Sequence, residues 1–368
     1  MQHTVNRQRL KMASSPDQLL ADLHSALQSE DKYTPHIEYL QFSEKKSGEV
    51  TVALYNNVVD RLRCLNLFYK LSPETFFQAV NIMGRFLSIV KARSHHIMCV
   101  GTCCFYMAVK TIEQPKNHMC AKHLLRISQC GASLSDLSRM ERIILEKLHY
   151  DIQGTTANTF LQIFHSFCKA KNALNILKST WQEFLERVTR KLEASMCHFA
   201  FVHYKSSVKA LSLLTYELAD FARIHSKSNE REWARCLLAL QLHTRMSDCE
   251  LLQCKSLMRE FLDIYASSEC KRPHSKLSWT VSMRTAKQIR MSCMTACRLP
   301  SIPENEAPLL RTSDAESLIT DSSSDDNSEC TSPPTDDVFT NESSSLESCP
   351  ESRSAFLFPW KGNTICPL

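Results

Sequence analysis

The chain has 368 residues, enough for one or two domains with sizeable cores, and it contains only 6 Gly. Alternating strand-like runs and Asn-Gly or Asp-Gly turns are scarce, which excludes a β-rich fold and predicts an all-α protein. No apolar run approaches the roughly 20 residues that span a bilayer, and residues 1–10 lack the apolar region of a secretory signal. We therefore expect no membrane segment and a cytoplasmic and nuclear location.

The formal charge of +5 combines a basic body with an acidic tail. Residues 301–353 carry 13 Asp and Glu against Arg311 and Arg353, so residues 1–300 are net basic. The Lys and Arg of this body are dispersed along amphipathic helices, whereas nucleic-acid binding requires a basic stripe, so we expect no nucleic-acid partner. The 17 Cys include no CxxC pair and lie mostly in helical patterns, which indicates reduced thiols.

Helical patterns begin near the N-terminus. Leu20, Leu23 and Leu27 form the apolar stripe of an amphipathic helix, which needs a surface to pack on. Further along, Ser72-Pro73 is typical of a helix start, because Ser accepts a bond from an unpaired amide and Pro suits the first turn. Residues 97–109 are apolar almost throughout, and this predicts a helix buried on all sides.

Two series of helices follow one another. Ser133 and Asp136 form a capping-box pattern, and five helices fit within residues 51–150. A second series is predicted at residues 156–168, at a capping box of Ser179 and Gln182, and at residues 206–218, 230–246 and 249–265. The two series agree in helix order and length more than in identity, which indicates a weak internal duplication.

These patterns divide the chain into five regions. Residues 1–50 hold the first amphipathic helix, residues 51–152 the first five-helix repeat and residues 153–268 the second. Residues 269–300 are basic and form either a helix that docks on a partner or a linker. Residues 301–368 are rich in Ser, Pro and acidic residues, so we predict a disordered tail.

Residues suited to catalysis or metal binding are scarce. His95, His96, Cys99, Cys103 and Cys104 have a helical spacing that in principle places several ligands together, but they begin the most apolar helix, where cysteines act as small core residues. The sequence has no P-loop, GxGxxG, HExxH or GxSxG motif. We predict a non-catalytic protein with no cofactor and no metal site.

Several segments carry a family resemblance. Residues 72–89 (SPETFFQAVNIMGRFLSI) resemble the second helix of a cyclin box, residues 100–110 (VGTCCFYMAVK) its buried third helix and residues 137–152 (LSRMERIILEKLHYDI) its fifth. RISQC at 126–130, TTA at 155–157, WTVSMRTA at 279–286 and LPSIPE at 299–304 resemble the G-type cyclins in particular, and the acidic tail resembles that of their longer member. The resemblance implies tandem five-helix cyclin box repeats.

The resemblance also implies a partner and a pair of contact residues. In cyclins, a Lys near the end of the third helix and a Glu in the fifth contact the mobile C-helix of a kinase; the matching positions are Lys110 and Glu141. An ordinary surface ion pair is the alternative interpretation of these two residues. The function implied is regulation of a cyclin-dependent-type protein kinase, with restraint of growth and of cell-cycle progression.

Three departures from the cyclin pattern weigh against conventional kinase activation. An Arg and an Asp that are paired in activating cyclins fall on Tyr55 and Gly84, so both charges are absent together. The acidic pair after the third helix reads Glu113-Gln114 and is displaced by one residue. The large apolar positions of the substrate-docking patch fall on Leu54, Val58 and Arg61, and the charge on Arg61 should weaken binding of Arg-x-Leu peptides.

Other functions remain open at this point. The chain could be an adaptor that recruits protein phosphatase 2A, its catalytic subunit included, through B′ regulatory subunits, with Lys287 and Arg290 of the basic stretch as candidate contacts. A nucleic-acid-associated cyclin-like factor would require a continuous basic face. In the tail, phosphorylation would build a segment for a ubiquitin ligase, and solvation with incidental sites is the alternative; the candidate sites are Ser322, Ser323, Ser332 and Ser344.

Overall fold

The computed structural model describes residues 16–41, 48–171, 178–225 and 230–267. These ranges contain eleven α-helices and one isolated β-bridge, between Glu49 and Arg93. The helices are α1 (Pro16–Tyr33), α2 (Val52–Phe68), α3 (Pro73–Ile89), α4 (Ile97–Ile112), α5 (Ala121–Ser128), α6 (Leu134–Lys147), α7 (Ala157–Ala170), α8 (Lys178–Met196), α9 (Ser206–His225), α10 (Glu230–Thr244) and α11 (Asp248–Ala266). In the described ranges no helix is both long and apolar enough to cross a membrane.

The predicted basic stretch and acidic tail lie outside the described residues. So do the sites predicted on them, Lys287 and Arg290 in the basic stretch and the tail serines Ser322, Ser323, Ser332 and Ser344.

Helix starts follow the predicted caps in most cases. The Ser72 side chain accepts a bond from the amide of Glu74 at 3.3 Å, and Pro73 is the first residue of α3. At α6, Ser133 Oγ accepts from the Asp136 amide and the Asp136 carboxylate accepts from the Ser133 amide, each at 3.1 Å, so the predicted capping box is confirmed. The capping box predicted at Ser179 and Gln182 stays a prediction, because α8 (Lys178–Met196) starts next to residues 172–177, which lie outside the described ranges.

The first repeat is built around α4, which packs against α2, α3 and α6. Its interior residues, among them Cys104, Phe105 and Ala108, are fully buried. At Gly101 a Cβ would lie 2.5 Å from Val58 Cγ1, so a glycine is what lets α2 and α4 approach this closely. The predicted burial of residues 97–109 is therefore confirmed except at Met98 and Tyr106, which are partly exposed, and Lys110 in the last turn is exposed.

The second repeat is built around α9, which packs against α7, α8 and α11. This helix is longer than predicted, because its buried face continues past Leu218 to Phe221. The apolar stripe of α1 finds its surface here, since α1 packs on α7 and Leu23 is fully buried. Glu30 of α1 accepts bonds from the amide (2.6 Å) and hydroxyl (2.9 Å) of Ser207, at the N-terminus of α9, where a carboxylate is favourable.

Polar contacts join the two repeats. Glu74 of α3 accepts from the hydroxyl of Thr156 at 2.7 Å and from the side-chain amide of Asn158 at 2.8 Å, at the start of α7. Asn56 of α2 accepts from the amide of Phe199 at 2.9 Å. These bonds hold the second repeat at a fixed position relative to the helices of the first.

Candidate partner-binding surface

Lys110 and Glu141 meet at the surface of the first repeat. Lys110 lies in the last turn of α4 and Glu141 in the middle of α6, and their side chains form an ion pair between Nζ and Oε1. The side chains are 35% and 23% exposed, so both are partly desolvated and still reachable from outside. Lys110 Nζ also lies 4.6 Å from the ring centroid of Tyr106, a cation–π contact that further fixes the ammonium.

Packing beneath the pair determines where the two charges sit. Leu137 and Ile144 of α6 are buried on the side that faces α4, and Cys103 Sγ donates to the Leu137 carbonyl at 3.7 Å. Glu141 lies four residues after Leu137, so helical spacing carries it along the edge of the same face. A rigid helix pair therefore presents one cation and one anion side by side.

Glu113, just beyond α4, has a structural role that the sequence did not reveal. One carboxylate oxygen accepts from the Ser72 amide at 2.9 Å and from the Thr75 hydroxyl at 2.6 Å, at the N-terminus of α3. A carboxylate at this end of a helix satisfies free amides and complements the helix dipole. No local sequence signal connects the two, because Glu113 lies 41 residues after Ser72 and only the fold brings them together.

The positions of the absent Arg–Asp pair are occupied by apolar packing. Tyr55 is buried and packs edge-on against Phe199 of the second repeat, with ring centroids 5.5 Å apart. At Gly84 a Cβ would lie 2.8 Å from Pro35 Cγ, so the missing side chain makes room for the segment after α1. Neither position leaves a charge without a partner, which agrees with the loss of both charges together.

The predicted docking patch is only partly at the surface. Val58 is fully buried against Gly101, so it does not line the surface patch that the family resemblance implied. Leu54 is half-buried, and Arg61 is exposed, with its Nε donating to Asn57 Oδ1 at 3.3 Å. The close approach of α2 and α4 explains the correction at Val58.

Buried ionisable groups at the junction of the repeats were also missed. Arg63 of α2 donates through Nη2 to the Tyr265 hydroxyl at 3.0 Å, and its Nε lies 3.8 Å from Glu193 Oε2. Burial raises the pKa of Glu193 to about 7, against the lowering effect of Arg63. Charged residues in a helical pattern normally indicate a solvated face, so this burial could not be predicted from the pattern.

The cysteines and histidines considered as metal ligands are placed apart. Cys103 and Cys104 are fully buried in α4, whereas His95 and His96 are exposed in the turn before it. Among the described residues, no group of three or more His, Cys, Asp or Glu side chains is arranged to hold a metal ion.

Comparison with known proteins identifies the family. The model of the cyclin N-terminal domain matches residues 23–153. Cyclin-G2 of Homo sapiens is 33% identical over 329 residues, which cover 88% of this chain and 91% of the relative. The chain is a G-type cyclin. Cyclin-G1 of Homo sapiens is 35% identical over 296 residues, 78% of this chain and 95% of the relative.

The cyclin fold is also found among solved structures. The X-ray structure of a viral cyclin from herpesvirus saimiri superimposes with a TM-score of 0.51 at 21% identity, over 66% of this chain and 99% of the viral protein. The all-α fold and the membership of the G-type cyclins predicted from the sequence are thereby confirmed. As a cyclin, the chain belongs to a family of regulatory, non-catalytic proteins of the cell cycle.

Proposed function

We propose that this G-type cyclin is the regulatory subunit of a cyclin-dependent-type protein kinase and that Lys110 and Glu141 contact the mobile C-helix of the kinase. The observation that supports this proposal is the exposed ion pair at the end of α4 and the middle of α6. Both positions match the kinase-contact residues of the cyclin pattern, and the helices beneath them are held by a buried core.

The chemistry of the pair suits a helix as partner. An ammonium donates and a carboxylate only accepts, so the two groups can bond the carbonyl and amide groups of a helix without requiring particular side chains. In the free protein they bond each other, and Lys110 also rests on Tyr106. Because these contacts already restrict both side chains, little conformational entropy is lost on binding.

The second candidate is an adaptor for protein phosphatase 2A that acts through B′ subunits. It is favoured by the absence of the Arg–Asp pair at Tyr55 and Gly84 and by the use of Glu113 within the fold. Its candidate contacts are Lys287 and Arg290. Either candidate accommodates a role that restrains growth and cell-cycle progression.

A double variant tests the kinase proposal. Lys110→Ala with Glu141→Ala should fold as the wild type does, which circular dichroism would show. We expect it to lose retention of purified cyclin-dependent-type kinase subunits, because truncating one charge in a desolvated contact costs on the order of 2–5 kcal/mol. B′ subunits, tested in parallel, should be retained.

The matched control is the pair Arg142 and Glu146, a second, more exposed ion pair of α6. Replacing both by Ala likewise removes one positive and one negative charge, here both from α6, and should leave kinase retention unchanged. If the Lys110 and Glu141 variant folds and still retains the kinases, the proposed contact is wrong. Loss of B′ retention on replacing Lys287 and Arg290 would then favour the adaptor.

We further infer a ubiquitin ligase as a partner of the acidic tail. Phosphorylation adds negative charge and three acceptor oxygens at each site, which a basic recognition surface binds. The candidate sites are Ser322, Ser323, Ser332 and Ser344. Replacing all four by Ala should lengthen the half-life of the protein in cells, measured after synthesis is blocked; an unchanged half-life would contradict the inference.

A further inference from the structure

Two cysteines of the second repeat lie in direct contact. Cys168 of α7 and Cys236 of α10 are 68 residues apart in the chain, and their Sγ atoms are 3.2 Å apart. Cys168 is fully buried and Cys236 is 5% exposed. A disulfide has an S–S length of about 2.05 Å, so the two sulfurs need to approach by little more than about 1 Å to bond.

The two thiols differ in pKa and in exposure because their surroundings differ. The hydrogen bond between the two sulfurs lowers the pKa of Cys236, and the nearby Lys171 lowers it further, although burial acts in the opposite direction. The same hydrogen bond, together with burial, raises the pKa of Cys168. Since the thiolate is the reactive form of cysteine, Cys236 is the nucleophile of the pair, and it is also the less buried of the two.

We propose that Cys168 and Cys236 form a redox modification site, at which hydrogen peroxide produces a reversible disulfide between α7 and α10. In the first step the Cys236 thiolate attacks one peroxide oxygen, the O–O bond breaks, and the departing hydroxide takes a proton to become water. The product is a sulfenic acid on Cys236.

In the second step the Cys168 sulfur attacks the Cys236 sulfur and the S–O bond breaks. The hydroxide that leaves takes the Cys168 proton and becomes a second water. Overall, two thiols lose two electrons and two protons, and one peroxide is reduced to two waters. A dithiol reductant reverses the change by thiol–disulfide exchange.

Three further cysteines in the described part of the chain are buried without a sulfur–sulfur hydrogen bond: Cys103, Cys104 and Cys254. Cys103 and Cys104 are neighbours in α4, and burial raises the pKa of each thiol. Burial likewise raises the pKa of Cys254 in α11 to about 11. These three residues serve as internal controls for general thiol oxidation.

The sequence permits a direct test on the full-length protein. Trypsin releases Cys168 in residues 148–169 and Cys236 in residues 236–245, and each peptide contains no other cysteine. After one equivalent of hydrogen peroxide and alkylation of free thiols, we expect mass spectrometry to find these peptides linked, at least ten-fold above any other cysteine pair. Dithiothreitol should separate them.

Two variants give further readouts. Cys168→Ala should leave the oxidised Cys236 without its partner, so dimedone, which labels sulfenic acids, should modify residues 236–245 more than in the wild type. Cys254→Ala should form the link as the wild type does. Peptide mapping of the wild type needs no substitution, so it tests the proposal even if a variant fails to fold. Recovery of the two peptides unlinked, while other cysteines are oxidised, would overturn the proposal.

Discussion

The central helices of the two repeats handle charge in opposite ways. In α4 the one charged residue is Lys110, which lies at the end of the helix and pairs at the surface with Glu141. In α9, Lys209 and Glu217 are both buried, at 4% and 3% exposure. The central helix of the first repeat thus has an apolar interior and presents its charge outside, whereas the central helix of the second repeat contains buried charge.

The two buried charges of α9 differ in their partners. Glu217 accepts from Lys191 Nζ at 2.6 Å and lies 3.8 Å from Arg187 Nε, both on α8. Within the described part of the chain, no carboxylate lies within ion-pair distance of Lys209, which lines a small cavity of about 20 Å³. Burial lowers the pKa of Lys209 to about 8. The charge of Glu30 opposes this lowering only in part, so the stability of the second repeat should depend on pH through Lys209.

The largest loss of stability is expected from a substitution in the apolar core of the first repeat. Phe105 is fully buried in α4, and Phe105→Ala removes an aromatic ring and leaves a cavity. We expect the free energy of unfolding to fall by about 3–5 kcal/mol. Urea denaturation followed by circular dichroism would measure it, with the exposed Leu242→Ala as the control expected to change stability by no more than about 0.5 kcal/mol. Equal losses in the two variants would show that α4 is not a tightly packed core.

A smaller change in the free energy of unfolding, and an increase rather than a decrease, is expected on replacing Lys209. Lys209→Met removes a buried charge while keeping a similar shape, so it should stabilise the protein at pH 7. One unit of pKa shift corresponds to about 1.4 kcal/mol, and the lowering from 10.5 to about 8 therefore sets an upper limit of about 3 kcal/mol.

The pH dependence of the stabilisation by Lys209→Met shows whether the buried charge causes it. Between pH 8 and 10.5 the unfolded state binds more protons at Lys209 than the folded state, so the wild type gains stability as pH rises and the advantage of the variant shrinks. Lys205 is the control, because its hydrogen bond to Asp31 raises its pKa and Lys205→Met should destabilise slightly. A stabilisation by Lys209→Met that stays constant from pH 7 to 10.5 would show that packing, not charge, is responsible.

The same contrast explains which features could be predicted from the sequence. The starts at Ser72 and Ser133 and the apolar run of α4 depend on neighbouring residues, so local signals were sufficient. The burial of Val58 depends on its close contact with Gly101, and the burial of Lys209 depends on the helices that surround α9. The burial of both residues depends on tertiary packing, which cannot be predicted from the helical pattern of the sequence. The positions of Lys110 and Glu141 came from the family resemblance, and the fold adds that they bond each other.

The smallest effect on stability is expected at the surface pair of the first repeat. Lys110→Ala with Glu141→Ala removes an ion pair that is 35% and 23% exposed, and such pairs contribute about 0–1 kcal/mol. The loss should be larger than for the more exposed Arg142 and Glu146 pair, since Lys110 also gives up its contact with Tyr106. Urea denaturation in low and high salt would measure both variants, and the difference from wild type should shrink as salt screens the charges. A loss above about 2 kcal/mol would mean that the pair holds α4 and α6 together, and lost kinase retention in that variant would then report unfolding rather than contact. A loss below about 1 kcal/mol would mean that the pair contributes little to stability, so lost kinase retention would report a lost contact. In this respect the surface pair of the first repeat would differ from the buried charges of the second.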